Sequence, residues 1–357
     1  MAYTTIDDPT IFFNTVLFTG TASGNKAVTG VGFQPDWVWT KNRVDAYGHN
    51  LYDSVRGTGK YLQSNGTSAE SSSATSMVSF DSNGFTVGTG DNVQYSSNNG
   101  VSWNWKAGGS ASSNSNGSIT SSVSASTDAG FSIVSYTGTG SSATIGHGLG
   151  VSPSMIIAKQ RSTSSHNWVV QHKSLSTNNV ILLDTTGAVF SPSTATWDSG
   201  NNSSSVFGIA TNDNINASSE TYIAYCFAEK KGYSKFSSYV GNGSDTQFIY
   251  TGFAPAFVLW KNTNESDNHW CIIHNKAETF NGTYGRTSLL RPNDSGAEID
   301  GVTNTRGIDF LSNGFCLRSW GGSTGTITAN ESGDKYIFMC FAENPFVTST
   351  GVPACAR

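Results

Sequence analysis

Gly321-Gly322-Ser323-Thr324-Gly325 has the G-x-S-x-G spacing of a serine nucleophile elbow. That chemistry needs a strand-to-helix turn, with the acid and histidine partners following the serine. All six histidines precede Ser323, and its neighbours form a Gly/Ser loop, so a serine hydrolase is not supported. Glu298-Ile299-Asp300 has the E-x-D opening of a glucanase catalytic strand, but Val302 and Thr303 stand where the second carboxylate of an acid and nucleophile pair belongs. His166 and His172 lie six residues apart, about 20 Å along a strand, too far to share a metal ion. His269 and His274 would face opposite sides of theirs. Gly138-Thr139-Gly140 lacks the following helix that cradles phosphate. These residues give no catalytic site, metal site or cofactor.

A sugar could be held by an aromatic platform beside amides and carboxylates. Trp197 with Asp198, and Trp320 before Gly321-Gly322, sit in loop-like surroundings and are the candidate glycan platforms. A net charge of -5 without a Lys/Arg cluster argues against a nucleic-acid partner. No apolar run is long enough to span a bilayer, and the first residues lack the basic and apolar regions of a signal peptide. The expectation is synthesis in a cytoplasm without membrane insertion.

The elements around these residues are organised by a threefold repeat. Pro35-Asp36-Trp37-Val38-Trp39-Thr40-Lys41 returns as Pro153-Ser154-Met155-Ile156-Ile157-Ala158-Lys159 and as Pro255-Ala256-Phe257-Val258-Leu259-Trp260-Lys261. The interval is roughly 100 residues, enough for each copy to bury its own core. On a strand, Trp37, Trp39 and Lys41 share one face, as do Met155, Ile157 and Lys159, and Phe257, Leu259 and Lys261. This reads as a strand that starts at a proline, lines a sandwich core and emerges at the rim with its lysine. Downstream, Trp168 and Trp270 each precede a histidine by four, His172 and His274, and the first copy offers Leu51 and Val55 there. Each copy closes on an aromatic strand, Val101–Lys106, Tyr222–Glu229 or Tyr336–Glu343.

Charged residues are only 13% of the chain and aromatics 12%, and Gly, Ser, Thr and Asn are abundant, which suits short strands and tight turns. Ser79–Val87 and Asp309–Leu317 read as matched hairpins around Asn-Gly turns, a feature the second copy has lost. Five cysteines without a C-x-x-C pair give no zinc or redox motif, and Cys226 and Cys340, alike in the closing strands, read as small core residues. Gly108–Gly117 reads as a flexible linker, whereas Ser118–Ser124 suits an edge strand. Only Lys230-Lys231-Gly232 joins the second and third copies, so a hinged first module beside a stiffer pair is expected.

Met1-Ala2-Tyr3-Thr4-Thr5-Ile6-Asp7-Asp8-Pro9, Gly130–Gly138, Gly146–Val151, Tyr222–Glu229 and the terminal Phe341–Phe346 together resemble, over essentially the whole length, a group of repeated β-domain virion proteins of tailed bacteriophages. The resemblance implies concanavalin A-like sandwiches in a phage particle, commonly in a tail or tail fibre, and supplies no catalytic or binding residues. The expected fold is all-β, with three related β-sandwich modules of jelly-roll, concanavalin A-like type in tandem. Their boundaries are 1–16 (extension, a possible anchor or first strand), 17–108 (module 1), 109–128 (linker or edge strand), 129–231 (module 2), 232–346 (module 3) and 347–357 (tail). The expected role is non-enzymatic: a surface-exposed virion component that attaches to the host, with glycans as a possible ligand. The alternative is a capsid decoration or tail-sheathing protein. Other virion proteins are the expected partners and a homotrimer the favoured oligomer.

Overall fold

A computed structural model describes residues 2–92, 94, 97–244, 246–278, 280–282, 285–299, 307–318 and 327–354. Runs of β-branched and aromatic residues cut by Gly, Ser and Asn give an almost entirely antiparallel β protein. The first copy builds a large sheet in the order Phe13–Thr19, Asn99–Trp105, Trp37–Asn42, Asn50–Asp53, Lys60–Gln63, Ser71–Ser72. The second builds Ser112–Asn114, Ser121–Ser126, Phe131–Thr137, Thr221–Phe227, Met155–Gln160, Val169–His172, Ile181–Leu182. The third builds Ser234–Val240, Lys335–Pro345, Phe253–Asn262, Cys271–His274. In every copy the repeat strand lies next to the closing strand.

A small sheet from the same copy covers one face of each large sheet. These are Lys26–Thr29 with Gly84–Val87 and Met77–Asp81, Ala143–Gly146 with Val206–Ile209, and Thr246–Tyr250 with Gly314–Arg318 and Gly307–Leu311. Alternation then divides the repeat strand between two cores. Val38, Ile156 with Ala158, and Val258 with Trp260 point into the three sandwich interiors. The opposite faces, Trp37 and Trp39, Met155 and Ile157, Phe257 and Leu259, meet in one core common to all three large sheets. The expected core strand is therefore present, but its larger side chains pack between copies. Aromatic contacts cross every boundary: Trp37 stacks on Tyr225 at 4.3 Å, Phe227 meets Phe341 at 6.1 Å, and Phe257 meets Trp103 at 5.9 Å.

This common core replaces the hinged module that the glycine-rich linker suggested. Within 109–128, Ser112–Asn114 and Ser121–Ser126 are paired strands at the edge of the second large sheet. Gly108 packs so close to Ala125 that an added Cβ would lie 2.4 Å from its carbonyl oxygen, and one on Gly117 would lie 2.3 Å from that of Thr144, so these two glycines serve close approach. Of the 1–16 extension, Phe13 onward is the edge strand of the first sheet, held against Asn99–Trp105. Before it, Tyr3 Oη donates to the Gly252 carbonyl at 2.7 Å and Thr4 Oγ1 to that of Lys231 at 2.8 Å. Ile6 enters the common core. The chain start is thus strapped across the third copy. The two hairpins form, with Ser82-Asn83 and Ser312-Asn313 as the turn residues. Gly84 and Gly314 begin the return strands, where a Cβ would collide with the Val28 and Ile249 carbonyls.

Candidate functional site

Lys41, Lys159 and Lys261 do not emerge at a rim; all three are fully buried. Lys159 Nζ donates to its own Gln160 carbonyl at 2.9 Å and reaches the Thr67 carbonyl of the first copy at 3.4 Å. Lys261 Nζ donates to Asn268 O at 2.8 Å and to Thr186 O of the second copy at 3.2 Å. Lys41 Nζ donates to Asn42 O at 2.6 Å and Asp45 O at 3.3 Å, and the carboxylates of Asp294 and Glu298 from the third copy face it. Burial lowers each ammonium from 10.5 to about 8. Backbone carbonyls accept these protons, which is why no side chain of constant type accompanies the lysine.

Two residues beyond each lysine the seam repeats in cyclic order. Glu70 N donates to Arg161 O at 2.8 Å, Val189 N to Thr263 O at 3.0 Å, and Glu298 N to Arg43 O at 2.9 Å, so each copy is bonded to the next and the ring closes. Ion pairs reinforce two of the seams, Arg161 with Glu70 at 2.9 Å and Arg43 with Glu298 at 2.5 Å. Burial raises the Glu70 carboxyl, but Arg161 and Arg56 outweigh it and hold the group below its ordinary value. Trp168 Nε1 donates to Gln63 O and Trp270 Nε1 to Leu182 O, both at 2.8 Å and both into the preceding copy.

Strand register corrects the downstream alignment of the first copy. Leu51 opposes Trp39 as Val170 opposes Ile157 and Ile272 opposes Leu259. His49 therefore occupies the place of Trp168 and Trp270, and Asp53 that of His172 and His274. Asp53 accepts from Tyr225 Oη at 2.8 Å and pairs with buried Arg56, another contact between copies. His172 Nε2 lies 3.3 Å from Phe338 O. Burial lowers His172 to about 4 and His274 to about 3, so both are neutral seam residues. Among the described residues no group of three His, Cys, Asp or Glu side chains is placed to hold a metal ion, and no helix is long and apolar enough to cross a membrane.

The glycan platform at Trp197 is not formed. Trp197 is 1% exposed and fills the second sandwich, with Phe207 at 6.4 Å between ring centres. The reason is the lost hairpin: Trp197 bridges to Ile209 and Asp198 N donates to Gly208 O, so this segment takes the place of the missing strand. Asp198 is half-buried and accepts from Asn201 Nδ2 at 2.6 Å. Trp320, Ser323, Asp300, Val302 and Thr303 lie outside the described residues, and so does Cys355. Cys226 and Cys340 are buried in the sandwich cores as expected, and burial pushes both thiols up.

Open space is found at the other end of the repeat strands, by their prolines. There Ser54 N, Lys173 N and Asn275 N donate to Asp36 O, Ser154 O and Ala256 O, each at 2.8 Å, so the three rims are built alike. In the first copy the Asp36 carboxylate accepts from Ala107 N at 2.7 Å, Gly109 N at 3.3 Å and Ser54 Oγ at 3.0 Å, drawing 107–109 over the rim. The second copy has a cleft of about 330 Å3 beside Pro153, lined by Ser154, Gln171, Lys173, Asn179 and Asn202. The third has one of about 370 Å3 beside Pro255, lined by Phe280, Arg286, Phe310, Leu311, Glu343 and Asn344. No pattern in the sequence marks these clefts, because their walls combine strand ends with loops that differ between copies. No curated protein matches the chain. A family model described as a domain of unknown function, DUF7483, matches residues 8–345, a span that holds all three sheet pairs and their seams, and the chain belongs to that family.

Proposed function

We propose that this chain is a non-enzymatic virion structural protein of a tailed bacteriophage, a tail-fibre or tail-appendage component that contributes to host-surface attachment. The supporting observation is that the copies bury what they share and expose where they differ. The repeat strands, their lysines and the downstream Trp and His residues are buried in the sandwich interiors, the common core and its seams. On the outer faces of the small sheets, by contrast, Ala27 and Thr29 of the first copy correspond to exposed Phe248 and Tyr250 of the third. A rigid scaffold with divergent surface loops is the arrangement proteins use for recognition. The resemblance of the opening and closing segments to phage virion proteins supplies the setting, with other virion proteins as partners and a homotrimer as the assembly.

The closed ring of seams favours a second reading, a capsid decoration or tail-sheathing protein, because a body locked in this way also resists deformation within a shell. Cryo-EM of the intact particle, with the protein located by antibody labelling, tests both. Density on a tail appendage is expected; density spread over the capsid lattice or along the tail tube would overturn attachment in favour of architecture. Absence from the particle would reject both.

A further inference from the structure

The geometry points to a saccharide-binding site in the cleft beside Pro255 of the third copy, with Phe280 as the stacking platform for a polyhydroxylated ring. This rests on the attachment reading and names the class of ligand for it. Phe280 is 72% exposed, the most exposed of the large apolar side chains described. Its loop is nevertheless anchored: the next residue, Asn281, donates from Nδ2 to Phe310 O at 2.9 Å and accepts from Phe310 N at 3.0 Å. An aromatic ring presented to water from an anchored loop beside a cleft offers an apolar face to the C–H side of a sugar.

The cleft's other groups suit the hydroxyls of the same ring. Glu343 supplies acceptor oxygens, Asn344 an exposed amide, and Ser312 a hydroxyl. Arg286 is buried against the Phe310 ring, with its guanidinium carbon 5.0 Å from the centroid, and adds a fixed cation to the wall. A volume of about 370 Å3 is at the small end of ligand sites and takes one or two pyranose rings. The equivalent rim of the first copy is occupied by the Asp36 contacts, and that of the second has no Phe, Tyr or Trp in its lining, so this chemistry belongs to the third copy.

Saturation-transfer difference NMR on the full chain with glucose, galactose, N-acetylglucosamine and glucuronic acid as probes tests the site. Transfer to the ring protons of at least one probe is expected, with binding about tenfold weaker in Phe280→Ala and also reduced in Glu343→Gln. Phe190→Ala, which removes an exposed ring of the second copy, should leave it unchanged. Thermal unfolding of Phe280→Ala should match the parent, since that ring contributes little burial. No transfer from any probe, or transfer that survives Phe280→Ala, would overturn the site. Either result leaves the particle-location test standing, so the two proposals fail separately.

Discussion

Raising the pH from 8 to 9 should stabilise the folded chain, the reverse of what its net charge of -5 would suggest. Lys41, Lys159 and Lys261 titrate near 8 when folded against 10.5 when free. Between those values the unfolded chain holds more protons, so stability rises with pH by up to ~1.4 kcal/mol per unit for each lysine; because the folded lysines are still half protonated at pH 8, the gain from pH 8 to 9 is ~1 kcal/mol for each, or ~3 kcal/mol for three. Cys226 and Cys340 act in the opposite sense: burial raises their folded values above 9.0, so their contribution is lost as pH passes 9. Above 10 the buried Tyr52, Tyr136, Tyr225, Tyr233 and Tyr239, all raised by burial, take stability down steeply. The maximum should therefore fall between about 9 and 10. Urea unfolding at closely spaced pH values measures the slope, and Lys159→Met should cut it to about two-thirds between pH 8 and 9. A stability that is flat or falling from pH 8 to 9 would refute the burial of these ammonium groups between copies.

Acidification from pH 6.5 towards 4 should destabilise the chain by ~1.4 kcal/mol per unit for each of His172 and His274, since only the unfolded chain takes up those protons; circular dichroism across this range reads the loss. Trp197→Ala should cost about 3–5 kcal/mol by emptying the second sandwich, and calorimetry should show a lower Tm with glycan binding unaffected. Deleting residues 1–12 removes the strap and the Ile6 contact, so limited proteolysis should cut that variant sooner near Lys230-Lys231.

The sequence made the strands legible because alternation and turn residues act over a few positions. Alternation marks Trp37, Met155 and Phe257 as core residues, yet which core they enter is invisible in the sequence, since a strand covered on both faces looks the same whichever sheet covers it. The lysines run against expectation for a related reason: a lysine ending an apolar stripe usually reaches water, and backbone carbonyls of its own and the neighbouring copy make its burial tolerable here. Trp197 resembled a loop platform because the hairpin it replaces had vanished from the pattern. The cleft at Phe280 had no repeat to announce it, being assembled from residues far apart in the chain.

Hydrogen exchange by mass spectrometry on the native full-length chain tests the central claim, that three repeat strands share one core. Trp37–Asn42, Met155–Gln160 and Phe253–Asn262 should exchange only through global opening, with the same free energy and the same urea dependence. In Phe341→Ala, which removes a ring touching Phe13, Phe227 and Phe257, all three should lose protection together. Loss confined to the third copy, with the strand at Trp37 unchanged, would contradict it.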